Sequence, residues 1–134
     1  MELVSVVIPC FNDGEYIEEA IDSVRSQTYK RIEIIICDDG STDKHTLDLL
    51  HNYEKDGIKV IYQSNQGPSE ARNNAIAASN GTYILPLDAD DKIGSSYIED
   101  AVNILNKNSN IGIVYCEGIF SERAIWFGTA PYSL

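Results

Sequence analysis

The sequence predicts an α/β domain, with a mostly parallel sheet flanked by helices in three layers, α/β/α. Three observations predict it. Strand-like and helix-like segments alternate along the chain. The first strand candidate, "VSVVIPCF" (4–11), is a nearly unbroken apolar run, as expected of a strand covered on both faces. Three strand candidates end in unusual polar residues, at the end where open parallel sheets gather ligands.

The elements follow in order. After the first strand, Ile17, Ala20, Ile21 and Val24 fall at i, i+3, i+4 and i+7, a helical stripe that Asn12 or Asp13 can cap. "RIEIIIC" (31–37) reads as the second strand. The next helix, "STDKHTLDLLHNYEKDG", turns Leu47, Leu50 and Tyr53 inward and stops at Gly57. "IKVIYQ" (58–63) is the third strand. "QGPSEARNNAIAASNG" (66–81) is a helix with Pro68 at its first position and Gly81 at its exit. "TYILPLD" (82–88) is the fourth strand, its ladder disturbed near the end by Pro86. "GSSYIEDAVNILNKN" (94–108) is a helix with Tyr97 or Ile98, Ala101, Val102 and Leu105 inward, and "IGIVYCE" (111–117) is a fifth strand. The remainder, "GIFSERAIWFGTAPYSL", has no clear period. It reads as the start of a longer region rather than as a further element.

The 134 residues suffice for one domain with a sizeable core, 43% of them hydrophobic. With 21 acids against 10 Lys plus Arg, the net charge of −11 repels a phosphate backbone and excludes nucleic acid as a partner. An anionic small ligand then needs a local counter-charge. No apolar run approaches the roughly 20 residues of a membrane span. The N-terminus lacks the basic stretch of a secretory leader. The cytoplasm is the expected location, with any attachment at the inner membrane face made by parts outside this chain. Cys10, Cys37 and Cys116 are far apart, odd in number and set in apolar runs, so buried reduced thiols are expected. His45 and His51 are expected to face solvent.

The chemistry concentrates at three strand ends, "PCFND", "CDDGSTD" and "LDADD". In the last, Asp88 and Asp90 are two apart and share a face if the extended conformation persists. Two carboxylates on one face suit a hard divalent cation, Mg²⁺ or Mn²⁺, with an open shell for water and phosphate oxygens. The plainer reading is an acidic turn capping the next helix. A calcium loop starting at Asp88 fails, because Lys92 and Ile93 stand where an oxygen ligand and a glycine are needed. In "CDDGSTD" a carboxylate can accept from a base N–H or a ribose hydroxyl. Alternatively, Ser41 or Asp43 caps a helix beside solvated Asp38 and Asp39. A phospho-acceptor aspartate lacks its companion residues. Arg72, early in a helix, can reach phosphate or base, or pair with Glu70 or Asp39. Phe11 can stack on a base or pack in the core. Glu15 is explained by the helix dipole.

Together "SVVIPCFND", "CDDGSTD", "GPSEARNNAIAASNGTYILPLDADD" and "IVYCE" resemble the nucleotide-sugar-binding half of the inverting family-two glycosyltransferases, which have the Rossmann-like GT-A fold. The order and spacing fit over nearly the whole chain. The resemblance implies that Pro9, Phe11 and Asn12 lie where the first strand turns under the nucleotide. It implies that Asp39 contacts the base, usually uracil, and that Arg72 lies beside the nucleotide. Asp88 and Asp90 fill the family's DxD motif, the first serving the ribose or a metal-bound water and the second the metal. Asp91 competes as a ligand. A cation and a ribose would relieve the repulsion among these three acids. The family's catalytic base lies well past the DxD, and no matched position precedes Leu134. The chain is therefore expected to be one nucleotide-sugar-binding domain over residues 1–134, with 118–134 beginning an acceptor-side region.

The function expected is metal-dependent transfer of a sugar, with Mn²⁺ or Mg²⁺, from a UDP-linked donor to the hydroxyl of a saccharide or lipid-linked acceptor. Two rivals are a metal-dependent nucleotidyltransferase and a non-catalytic nucleotide-binding module. The first wants a basic, Gly-rich loop after strand one, where this chain has the acidic "CFNDGEY".

Overall fold

The computed structural model describes residues 1–108, 113–117 and 123–127. The elements run β1 (Val4–Cys10), α1 (Ile17–Arg25), β2 (Ile32–Asp38), α2 (Lys44–Lys55), β3 (Lys59–Tyr62), α3 (Pro68–Ala77), β4 (Tyr83–Pro86), α4 (Tyr97–Lys107), β5 (Ile113–Glu117) and β6 (Arg123–Phe127). They form one sheet in the order β3-β2-β1-β4-β6-β5. β3, β2, β1 and β4 are parallel, with Val6 opposite Ile34 on one side and Leu85 on the other.

Every residue of β1 is buried, and its side chains alternate between two cores. Val4, Val6, Ile8 and Cys10 face α1, α2 and α4 through Ile17, Ile21, Leu50, Ile98 and Val102. Val7, with Ile35, Cys37 and Ile84, faces Ala71 and Ala75 of α3. This is the expected three-layer α/β/α arrangement. Ala71 and Ala75 are both fully buried, and their small size fits α3 lying close against the sheet.

The chain crosses from β3 back over the sheet to pair β4 on the free side of β1. The order therefore reverses between β1 and β4, a topological switch point where doubly wound sheets bind ligands. Pro9 survives inside this buried strand for a geometric reason. The Val7 carbonyl accepts from Leu87 N at 3.0 Å, so odd residues of β1 direct their polar groups toward β4. β4 ends at Pro86, opposite Val7, so Pro9, which has no N–H to give, lies past the last paired residue of that strand.

Several expectations are corrected. "SERAIWFG" lies in the stretch read as lacking an element, yet it contains β6, which pairs antiparallel with β4 and β5. The fifth strand is therefore separated from β4 by β6. Strand pairing, not sequence period, makes this element. Asn12 and Asp13 do not cap α1, whose N-cap is Tyr16 without a side-chain bond. On α2, Thr46 takes the inward position expected of Leu47, with Leu50 and Tyr53 as expected. Gly57 does follow the helix, at φ +97°. α3 begins at Pro68 but leaves through Ala78 rather than Gly81. Gly81 instead lies against Ser5, whose Oγ accepts its N–H at 2.8 Å. Cys10 and Cys37 are buried free thiols, and both histidines are exposed. The Cys116 side chain and residues 118–122 and 128–134 lie outside the described residues.

Candidate functional site

The β1, β2 and β4 ends are adjacent at the carboxyl edge of the sheet, as the common strand order requires. β1 leads into Phe11, which is 45% exposed, so the alternative of a core role fails. Asn12 follows with φ +52°, a left-handed conformation that Asn tolerates better than most residues. Its Oδ1 accepts from Thr42 N and Asp43 N, each at 2.9 Å, and its own N–H donates to Ser41 Oγ at 2.8 Å. Asn12 thus clamps the β1 end to the segment after β2. Asp43 then caps α2, accepting from Thr46 N at 3.0 Å.

The two acids of "CDD" are not solvated neighbours, since Asp38 is 2% and Asp39 4% exposed. Asp38 accepts from Ser41 N and Ser41 Oγ. Asp39 accepts from Gln66 N at 2.7 Å, Gln63 Nε2 at 2.8 Å and Gly67 N at 3.0 Å. These donors, led by Gln66 N–H and the Gln63 amide, hold its carboxyl below the ordinary carboxylate value. Gly67 has φ +100°, so the segment entering α3 needs a residue without a Cβ. Asp39 therefore fixes the start of α3.

Past β4, burial still alternates. Leu87 and Ala89 are each 3% exposed and point inward, while Asp88 and Asp90 point to solvent. Leu87 N donates to Val7 O and holds this extension to β1; Asp91 N then turns back to Asp88 O at 3.0 Å. One ligand atom from each of Asp88, Asp90 and Asp91 lies within 4.8 Å of the others. Three hard oxygen donors at that spacing fit a divalent cation with an open shell. Lys92, next in sequence, turns instead to Glu19 at 3.8 Å.

Arg72 pairs with neither Glu70 nor Asp39. Its guanidinium reaches Asp88 Oδ1 at 3.2 Å. α3 is thus joined to Asp39 at its N-terminus and to Asp88 one turn further on, which places both acids at the same rim. Asp13 was legible only as a cap. Its carboxyl accepts from Phe11 N at 2.8 Å and is raised above the usual range by burial and then by the charges of Asp90, Asp88 and Asp38. The available signal was its place in "PCFND", beside the switch point. Of the expected residues, the structure brings Phe11, Asn12, Asp39, Arg72, Asp88, Asp90 and Asp91 to this edge, with Pro9 inside the strand below them.

The family model described as Glycosyl transferase family 2 matches residues 5–127. An uncharacterized glycosyltransferase of Rickettsia typhi (strain ATCC VR-144 / Wilmington) is 45% identical over 116 residues, covering 85% of this chain and 36% of the relative. Among solved structures, S. aureus TarS in complex with UDP-GlcNAc has a TM-score of 0.73 at 30% identity, covering 80% of this chain and 32% of that one. The mannosyltransferase PcManGT of Pyrobaculum calidifontis, in complex with GDP-Man and Mn²⁺, has a TM-score of 0.79 over 95% of this chain and 44% of that one. At 21% identity it speaks for the fold alone. The chain spans about a third of the length of the curated relative described, 36%. No helix among the described residues is long and apolar enough to cross a membrane.

Proposed function

The chain belongs to glycosyl transferase family 2, and from that premise we propose that it supplies the donor-binding half of an enzyme transferring a sugar from a UDP-linked donor to a hydroxyl of a saccharide or lipid-linked acceptor, with inversion. The observation that carries this reading is the convergence of Asp88, Asp90 and Asp91, with ligand atoms within 4.8 Å, beside the Arg72 guanidinium at the sheet's switch point. The complex of S. aureus TarS with UDP-GlcNAc supports the nucleotide-sugar class.

Asp90, Asp88 and Asp91 would hold Mn²⁺ or Mg²⁺, with Asp88 also placed to accept from a ribose hydroxyl. Such a cation neutralises a departing diphosphate as a Lewis acid. Arg72 adds a second positive charge in a domain that is otherwise strongly acidic, and its planar fork suits phosphate oxygens. The exposed ring of Phe11 offers a face to the base, with Asn12 and Pro9 setting the turn beneath it. Asp39 presents an acceptor to the base edge. None of these acids is assigned as the base that deprotonates the acceptor. That step, with in-line attack, belongs to the acceptor side.

Calorimetric titration of UDP with and without Mn²⁺ tests the reading. Metal-assisted binding is expected, and Asp90→Ala should abolish the assistance while leaving the fold intact. UDP binding that ignores Mn²⁺ would refute the metal assignment.

A further inference from the structure

Asp39 is almost enclosed, yet its acceptor capacity is not exhausted. An ionised carboxylate offers about four acceptor positions. Gln66 N and Gln63 Nε2 occupy Oδ1, and Gly67 N occupies one position on Oδ2. Among the described residues, these donors leave a single acceptor position on Oδ2 for a ligand. Gln63 itself is held. Its Oε1 accepts from Asn74 Nδ2 of α3 and from the Cys37 thiol at 3.4 Å. With the oxygen engaged there, the amide turns its N–H, not its carbonyl, toward Asp39.

We propose that Gln63, oriented by Asn74, is a positioning residue that keeps Asp39 an ionised acceptor with one position free, so that the site selects nucleobases with a ring N–H on the pairing edge. This rests on the reading that Asp39 faces the base. Uracil carries such an N–H; cytosine carries a bare ring nitrogen there and would set lone pair against lone pair. The neighbouring thiols do not compete for the proton. The Asp38 carboxylate is turned onto Ser41. Burial pushes the Cys37 thiol up to about 11 and the Cys10 thiol to about 12, so both stay neutral near pH 7. The 63–67 segment and Asn74 contribute only uncharged donors to the network.

The test compares UDP and CDP by calorimetry from pH 6 to 8, where cytosine is neutral, at fixed Mn²⁺, in the wild-type chain, Gln63→Glu and Asn74→Ala. The wild type should prefer UDP by tenfold or more, and this ratio should not change with pH, because the diphosphate common to both ligands titrates alike. Gln63→Glu sets a second carboxylate against Asp39, and the pair must share a proton. The preference for UDP over CDP should then vary with pH and fall several-fold toward the acid end. Asn74→Ala frees the Gln63 amide to turn and should lower the preference several-fold without changing secondary structure. Folded variants that keep the wild-type preference and a flat profile would overturn the proposal. So would a wild type that binds both nucleotides equally, which would leave nucleotide binding itself standing. A wild type that binds neither would sink the nucleotide reading.

Discussion

The Arg72 guanidinium donates to Asp88 Oδ1 at 3.2 Å and so ties the second turn of α3 to the acidic turn after β4. The helix that carries Arg72 cannot easily shift. Ala71 and Ala75 are packed on the sheet, and Asp39 holds the residues just before the helix. Release of Asp88 therefore needs no movement of the helix, only rotation of the Arg72 or the Asp88 side chain. The pair is weak enough to allow it. Its partners are 33% and 55% exposed, and such pairs contribute about 0–1 kcal/mol.

Arg72→Gln should therefore act in two directions. Binding of Mn²⁺ alone should tighten, by up to about fivefold, because a cation competing for Asp88 is gone. Binding of UDP with Mn²⁺ should weaken by about tenfold or more, because a charged phosphate donor is lost. Electron paramagnetic resonance of free Mn²⁺ and calorimetry of UDP read the two effects separately. Mn²⁺ binding that stays the same or weakens would show that Arg72 does not compete with the metal, and UDP binding that does not weaken would take Arg72 away from the phosphates.

Gly81→Ala addresses the fold beneath the site. A Cβ at Gly81 would lie 2.4 Å from Ser5 Oγ and 2.7 Å from Ser5 N, and Ser5 is fully buried. Overpacking of this kind costs about 1–3 kcal/mol. The urea midpoint should fall accordingly; an unchanged midpoint would mean that the 79–82 segment moves freely away from β1.

Asp13 and Asp39 should influence stability with opposite signs. Burial and neighbouring acids raise the folded-state value of Asp13 above its ordinary 3.8. Its unfavourable contribution is absent below that value and builds as pH rises through the folded one. Asp13→Asn keeps an acceptor for Phe11 N, so it should raise the thermal midpoint at pH 7 and give no such gain at pH 3.5. Asp39 is depressed below 3.8, so its contribution is favourable at neutral pH and is lost as pH falls through the folded value. Asp39→Asn should accordingly lower the midpoint at pH 7 and matter little in strong acid. Midpoints that move together in both variants would contradict these signs.

Much of the fold was legible because its signals are local. The stripe Ile17, Ala20, Ile21 and Val24, the apolar β1 and Pro68 at the start of α3 all carried through to the structure. What was not legible depended on distant partners. Thr46 is buried in place of Leu47 because its hydroxyl bridges Gly14 N and Asp43. β6 exists through pairing with β4 and β5. In the site, the alternation of Leu87, Asp88, Ala89 and Asp90 was readable from a period of two. The partner of Arg72 and the enclosure of Asp39 were not, since both join segments far apart in sequence.

The proposed function places one cation–nucleotide site at the sheet's carboxyl edge, among the acids that follow β1, β2 and β4 and beside the start of α3. Paramagnetic broadening of amide resonances by Mn²⁺ in the presence of UDP tests it most directly. Broadening should be strongest at 88–91, extend to Asn12, Asp13 and the start of α3, and spare the strand beginnings at Val4, Ile32 and Tyr83. Broadening scattered over the acidic surface, or strongest at that opposite edge, would contradict it.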